Sequence, residues 1–278
     1  MGTGNNDNGQ DETTVALELS ATTTLKISDK PEDSSAVAGL SDVGRVRELN
    51  EDNWHWAPLD RGLTLYAVAD GMGGHDSGEV ASQLAVEGLF AASRNGVKDL
   101  SQPACEDLQA LLRNSFEEAN RAVVNMGVEQ DSNMGTTLCA ILVNDSNDVV
   151  VGNVGDSRIY LLRDGALSQI SQDHSLVAFL VQLGELTEEE ARDHPSGNIL
   201  VRSIGSMQDV EVDLFHLKSQ TGDRILLCSD GLWGEVNDEE LLSLLLSNES
   251  PGDACAALIE AANDNGGRDN STLIVVNV

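Results

Sequence analysis

The stretch LTLYAVADGMGGHDSG, Leu63 to Gly78, decides how the chain is read. Its first half, with Leu63, Leu65, Ala67, Val68 and Ala69, has the length and apolar content of a buried strand. The run breaks on Asp70, and Gly71, Gly73 and Gly74 then permit a sharp turn and close approach of backbone to a ligand. A helix follows, because Val80, Ala81, Leu84, Ala85, Gly88 and Leu89 recur at spacings of three and four, with Asp76 or Ser77 able to cap the first turn. Asp70 is therefore expected where a rigid strand meets a helix, a firm mount for a metal ligand. Taken alone, Asp-Gly is more often a plain hairpin turn.

The pattern repeats. Asp156 follows the apolar run Val149 to Val154, and Asp230 follows Ile225 to Cys228 with a glycine next in sequence. Glu51 and Asp52 in LNEDN and Asp269 in GGRDN add three more carboxylates at segment ends, with few cations nearby. Carboxylates that converge repel one another, so a shared site calls for cations. Arg47 stands beside Glu51 and Asp52 in a short segment that also reads as an exposed, salt-bridged turn.

Composition narrows the function. The formal net charge is -31, from 47 acidic against 16 basic residues, which argues against nucleic acid and against anionic membranes. Only four of the basic residues are Lys, and a solvated acidic surface accounts for most of the charge. Cys105, Cys139, Cys228 and Cys255 stand singly, without CxxC or zinc-ligand spacing, and read as small core residues in a reducing compartment. The chain has no run of eighteen apolar residues. Its N-terminus has no basic or apolar signal region and misses the myristoylation pattern at Asn6. A cytoplasmic protein is expected.

Residues 1–35 differ in composition, rich in Asn, Asp, Gly, Thr and Ser, and read as a disordered acidic tail. A lesser alternative makes Val15, Leu17 and Leu19 alternate residues of an edge strand, and Asp11 to Thr14 is a candidate kinase target. The folded domain is expected over 36–278. It opens with a strand near Ala36 and has an amphipathic helix from Asp107 to Met126, closed by Gly127. Strands are expected at Gly135 to Val143, Asp148 to Val154 and Arg158 to Leu162. The irregular stretch Ser171 to Ser206 reads as a surface flap near the site or a plain helical connection. Ile225 to Cys228 is a strand, Asn237 caps a helix from Glu239 to Leu246 with Glu240 as capping-box partner, and Pro251 starts another to Ala262. A last strand spans Ser271 to Val278. Strands and helix pairs in this order indicate an α+β fold with antiparallel sheets.

The ordered set VRELNED, VADGMGGHDSGEVAS, MGTTL, VGNVGDSRIYLLRDG, QDHS, LCSDGLW and RDNSTLIVV resembles the metal-dependent protein phosphatases of type 2C, specifically the bacterial serine/threonine phosphatases. The resemblance spans about 37 to 278. It implies a four-layer αββα sandwich, two antiparallel sheets flanked by helix pairs, with a binuclear Mg²⁺ or Mn²⁺ centre at one end. By position it implies that Asp70 bridges two metals, Asp230 and Asp269 complete the first, and Glu51 with the Gly71 carbonyl serves the second. Asp156 with Asp230 would hold a weaker third ion, Asp52 would bind metal-bound water, and Arg47 would hold the substrate phosphate, a role suited to a guanidinium fork. An oxygen ligand set is also what Mg²⁺ and Mn²⁺ prefer on chemical grounds.

The implied reaction is hydrolysis of phosphoserine and phosphothreonine in proteins by a metal-activated water, opposing a bacterial Ser/Thr kinase, with the enzyme a monomer. The chain has neither a Cys five residues before an Arg nor a GxxxxGK[ST] loop. Met72 stands where many eukaryotic members have a histidine that is a candidate general acid. His75 is then the nearest proton donor, with His174 and His194 weighed below it. The rivals are a phosphoprotein-binding pseudophosphatase, which would have lost one of Asp70, Asp230 and Asp269, and a relative devoted to one regulatory partner. All three aspartates are present.

Overall fold

The computed structural model describes residues 36–73, 77–100, 103–192 and 194–278. The readings of the 1–35 tail, of His75 and of Asp76 as a cap lie outside the described residues. The chain begins with β1 (Val37–Asp42) and β2 (Asp52–Pro58), after which β3 (Leu63–Met72) feeds α1 (Ser77–Gly96) and α2 (Cys105–Gln130). Then come β4 (Gly135–Thr136), β5 (Leu138–Asn144), β6 (Asp148–Val154), β7 (Arg158–Arg163) and β8 (Ala166–Gln169). Short helices α3 (Leu176–Gln182) and α4 (Glu188–Arg192) precede β9 (Asp213–Lys218) and β10 (Arg224–Cys228). The short α5 (Asp230–Trp233), then α6 (Asp238–Ser247), α7 (Pro251–Asp264) and β11 (Ser271–Asn277) complete the fold.

The strands form two antiparallel sheets, one in the order β1-β11-β10-β7-β8 and the other in the order β2-β3-β5-β6-β9, with β4 paired to the end of β3. Strand alternation explains the layering, because successive side chains point to opposite faces. Val37, Ile225, Leu227 and Ile274 from one sheet meet Trp54, Val68, Ile141 and Val151 from the other in a core between the sheets. Their neighbours Ala38, Leu226 and Val275 face outward onto α6 and α7, and Leu65, Ala67, Leu138 and Val150 face α1 and α2. The result is the four-layer α+β sandwich.

Several element boundaries differ from the sequence reading. β3 runs two residues beyond Asp70, because Gly71 and Met72 pair with Thr136 and Gly135 of β4. The run at Gly135 to Val143 is two strands, interrupted at Thr137. β2 and β9 were not anticipated; β2 alternates Trp54 and Trp56 with Asn53 and His55, and its polar side chains are covered by α1 rather than by water. Gly127 does not end α2, which continues to Gln130. There Asp131, in the left-handed region at φ 51°, donates its N–H to the Gly127 and Val128 carbonyls. Asn237 does cap α6, accepting from the Glu240 N–H at 3.0 Å, while Glu240 itself accepts from Asn265 instead of closing a capping box.

At the edge of the second sheet, Asp148 accepts from His216 at 2.8 Å and pairs with Lys218 at 2.9 Å. The Lys218 contact holds its carboxyl down at about 2. A carboxyl lowered on folding adds stability that is present above the ordinary range near 4 and lost as pH falls toward 2. Asp148→Asn should therefore cost about 1 kcal/mol at pH 7, after allowing for solvent screening of the exposed Lys218. Urea melts from pH 7 to pH 3 should show that difference shrinking; a pH-independent difference would exclude the ion pair as its source.

Candidate metal centre

The strand directions carry the carboxylates to one end of the sandwich. In the first sheet, the end of β10 leads to Asp230, β7 starts just after Asp156, β11 starts after Asp269, and β1 ends before Arg47. In register, Cys228 lies between Arg158 and Leu273, so these ends coincide. In the second sheet Asp52 at the start of β2 lies directly across from Asp70 near the end of β3. Arg47, Glu51, Asp70, Gly71, Asp156, Asp230 and Asp269 line a single cleft of about 200 Å³, together with Met72, Gly73, Thr137, Asn198, Leu200 and Asn270. Asp52 lies behind it, buried, its carboxylate accepting from Ser229 Oγ at 2.8 Å. The flap segment contributes Asn198 and Leu200 to the wall.

Burial sets the electrostatics. It raises the carboxyl groups of Asp70 and Asp156 well above the usual range, with neighbouring aspartates adding to the effect. Asp52 is pushed up to about 8, chiefly by burial, and Asp230 to about 6, by burial and then by Asp269. Asp230 Oδ1 is buried with no hydrogen-bond partner, and leaving such an oxygen bare is costly. Among the described residues no three acidic, His or Cys side chains are grouped to hold an ion as they stand. Asp269 is turned to Arg47 at 2.6 Å and to the Asn270 N–H at 2.8 Å. An orphaned carboxylate oxygen, a desolvated all-oxygen donor set and a single cation at the mouth fit divalent cations of the Mg²⁺ and Mn²⁺ type.

Neighbours that the sequence reading did not single out fix these groups in place. Thr137 Oγ1 accepts from the Asp70 N–H at 2.9 Å and is 2.7 Å from Ser157 Oγ, tying the second sheet to the turn that carries Asp156. Thr136 Oγ1 and the Thr137 N–H both donate to the Asp70 carbonyl, at 2.7 and 2.8 Å. Asn270 accepts from the Glu51 N–H at 2.8 Å and donates to the Val43 and Leu49 carbonyls at 3.0 Å, so it clamps the segment bearing Arg47 beside Asp269. The Trp233 indole donates to the Asp156 carbonyl at 3.0 Å, with the Arg158 guanidinium 3.7 Å from its ring and paired to Asp173 at 2.7 Å. A side chain at Gly71 would run into the Gly78 carbonyl and the Glu51 backbone, so glycine lets β2, β3 and α1 meet here.

The histidines are placed elsewhere. His174 is buried, with Nδ1 accepting from the Gly155 N–H at 3.1 Å and Nε2 3.1 Å from Asp213, and burial lowers its pKa. His194 Nδ1 accepts from the Ser196 N–H at 3.1 Å. Neither lines the cleft.

The family profile described as Protein phosphatase 2C matches residues 44–261. The chain is 42% identical over 238 residues to the serine/threonine phosphatase stp of Listeria monocytogenes, covering 85% of this chain and 93% of that protein. It superposes on the crystal structure of the Mycobacterium tuberculosis serine/threonine phosphatase PstP/Ppp with a TM-score of 0.77 at 41% identity, covering 87% of this chain and 97% of the other. A crystal structure of the PstP catalytic domain in complex with two manganese ions is similar at a TM-score of 0.74 and 40% identity, covering 87% and 96%.

Thr137→Val keeps the shape of the side chain and removes its hydroxyl, leaving the Asp70 N–H and Ser157 without that partner. It should cost about 1 to 3 kcal/mol of stability and weaken Mn²⁺ binding in a calorimetric titration, with Thr137→Ser restoring both. Unchanged metal affinity would show that the hydroxyl does not position Asp70.

Proposed function

The chain belongs to the protein phosphatase 2C family and is a metal-dependent protein-serine/threonine phosphatase; from that premise we propose which residues carry the reaction. Asp70 would contribute to holding both of two divalent ions, Asp230 and Asp269 would help hold the first, and Glu51 with the Gly71 carbonyl the second. Asp156 and Asp230 would hold a weaker third ion, and Asp52, across from Asp70, would orient water. The observation that carries this assignment is the convergence of strand-end aspartates from both sheets on one cleft, with a buried Asp230 oxygen lacking any partner. Either Mg²⁺ or Mn²⁺ suits the donor set, and two manganese ions in the PstP catalytic domain support a pair.

When bound, the ion pair supplies an activated water near neutral pH and positive charge against the phosphoryl oxygens. Arg47, half-exposed at the mouth and paired with Asp269, orients the phosphoryl group of phosphoserine or phosphothreonine through its guanidinium fork. Thr137 and Asn270, themselves neutral, hold the backbone at Asp70 and Glu51 in place against the mutual repulsion of the carboxylates. Among the described residues the cleft lining holds no thiol or histidine as a nucleophile. His75, the candidate proton donor to the leaving group, lies outside the described residues.

Residues 36–278 form the catalytic domain and 1–35 a separate acidic segment. A phosphoprotein substrate has to be made by a Ser/Thr kinase, and the enzyme opposes one as a monomer. Among the described residues no helix is long and apolar enough to cross a membrane.

Metal-stripped protein should hydrolyse neither a phosphothreonine peptide nor p-nitrophenyl phosphate, and Mn²⁺ or Mg²⁺ should restore both. Asp230→Asn should lower the restored kcat by about 100-fold or more, the scale on which removing one charge-stabilising group acts. Tight metal binding without turnover of either substrate would instead make the chain a phosphoprotein-binding relative.

A further inference from the structure

Next to the carboxylate-lined cleft lies a larger groove of about 660 Å³, between the C-terminal end of α2 and the loop 203–208 that closes the flap segment. Met72 lines both. Its side chain lies over Gly135, where an added Cβ would sit 3.6 Å from Met72 Cγ and 3.2 Å from the Ile204 carbonyl, so the missing side chain leaves the sill between cleft and groove low. The groove is well defined on its far side. Asn120, a buried residue of α2, donates to the Met207 and Gln208 carbonyls at 2.9 and 3.0 Å and accepts from the Gly205 N–H at 2.8 Å, which fixes the loop against the helix.

The lining has a distinct chemistry. The two most exposed large apolar side chains among the described residues, Val128 at 76% and Met207 at 70%, both belong to this groove, and Met134 lies on its floor. Methionines adapt to varied apolar partners. Among the described residues its single charged lining residue is Asp131, at the C-terminal end of α2, where the helix dipole is itself negative. Among the described residues no Lys or Arg lines it. The volume falls within the range of small-ligand and side-chain pockets, roughly 300 to 1,000 Å³.

We propose that this groove binds the substrate polypeptide beside its phosphorylated residue, selecting a bulky apolar side chain adjacent to a Lys or Arg. The inference rests on the reading of the chain as a protein phosphatase. Because Met72 lines both, an extended chain leaving the cleft at roughly 3.3 Å per residue reaches the groove within a few residues of the phosphorylated one. The apolar side chain then covers Val128, Met134 and Met207, and the cation faces Asp131. The continuity through Met72 and the match of negative groove to basic segment single out substrate chain over other occupants.

The test uses the metal-loaded full chain, p-nitrophenyl phosphate, and phosphothreonine peptides carrying Leu-Arg three residues before or after the phosphothreonine, with Ala-Glu controls. The double variant Val128→Gln, Met207→Gln changes only exposed side chains. It should lower kcat/KM about tenfold on at least one Leu-Arg peptide, the usual scale for one apolar pocket contact, and leave the Ala-Glu peptide and p-nitrophenyl phosphate within about twofold. Equal activity of wild type and variant on every peptide, or an equal fall on peptides and p-nitrophenyl phosphate, would overturn the groove. Should the double variant fold poorly, Met207→Gln alone is read the same way. Wild type that cleaves p-nitrophenyl phosphate but no peptide would instead overturn the protein-phosphatase reading itself.

Discussion

The mutual repulsion of buried carboxylates at one end of the sandwich is the constraint on which the rest of the structure depends. Asp70, Asp156, Asp230 and Asp52 are withdrawn from water, and burial together with their neighbours disfavours the charged form of each. Left to themselves, such groups would push the strand ends apart or hold protons. Divalent cations resolve the conflict, and the same cations are what a phosphate ester needs for its negative charge to be met. Stability and chemistry thus call for the same ions at the same place.

The scaffold answers the repulsion with rigidity. Two antiparallel sheets packed face to face bring their strand ends into a common edge, and the core between them, from Val37 to Val276, prevents either sheet from sliding. Neutral hydrogen bonds do the local work. Thr136 and Thr137 saturate the backbone at Asp70, Asn270 binds three backbone groups of the segment bearing Arg47 and Glu51, and Trp233 holds the Asp156 turn. None of these groups brings a charge of its own into the cleft. Arg158 does carry charge, but it is spent on Asp173 and the Trp233 ring, outside the cleft lining.

The sequence made the carboxylates legible because a strand that ends on Asp followed by Gly is a local pattern, and it occurs at Asp70 and Asp230, with Asp156 close to it. The α+β architecture was legible for the same reason, from apolar periodicity. β2 was hidden because its polar Asn53 is buried and His55 half-buried under a helix, so that the usual meaning of alternation is lost. β9 was hidden as a half-exposed edge strand. The end of α2 was misplaced because Gly127 signals a stop, yet the left-handed cap is supplied by Asp131. The partners of Thr137 and Asn270 were not readable at all: they depend on the register that brings Thr137 to Ser157 and Asn270 to Glu51, contacts far apart in the chain.

The most direct measurement is a calorimetric titration of metal-stripped protein with Mn²⁺, paired with thermal melts of the metal-free and loaded forms. If cations hold the carboxylates together, at least two ions bind per chain and the melting temperature rises with Mn²⁺ as mass action requires, while Asp70→Asn loses both effects. Binding of no ions, or full binding and stabilisation by Asp70→Asn, would contradict a centre built on that aspartate.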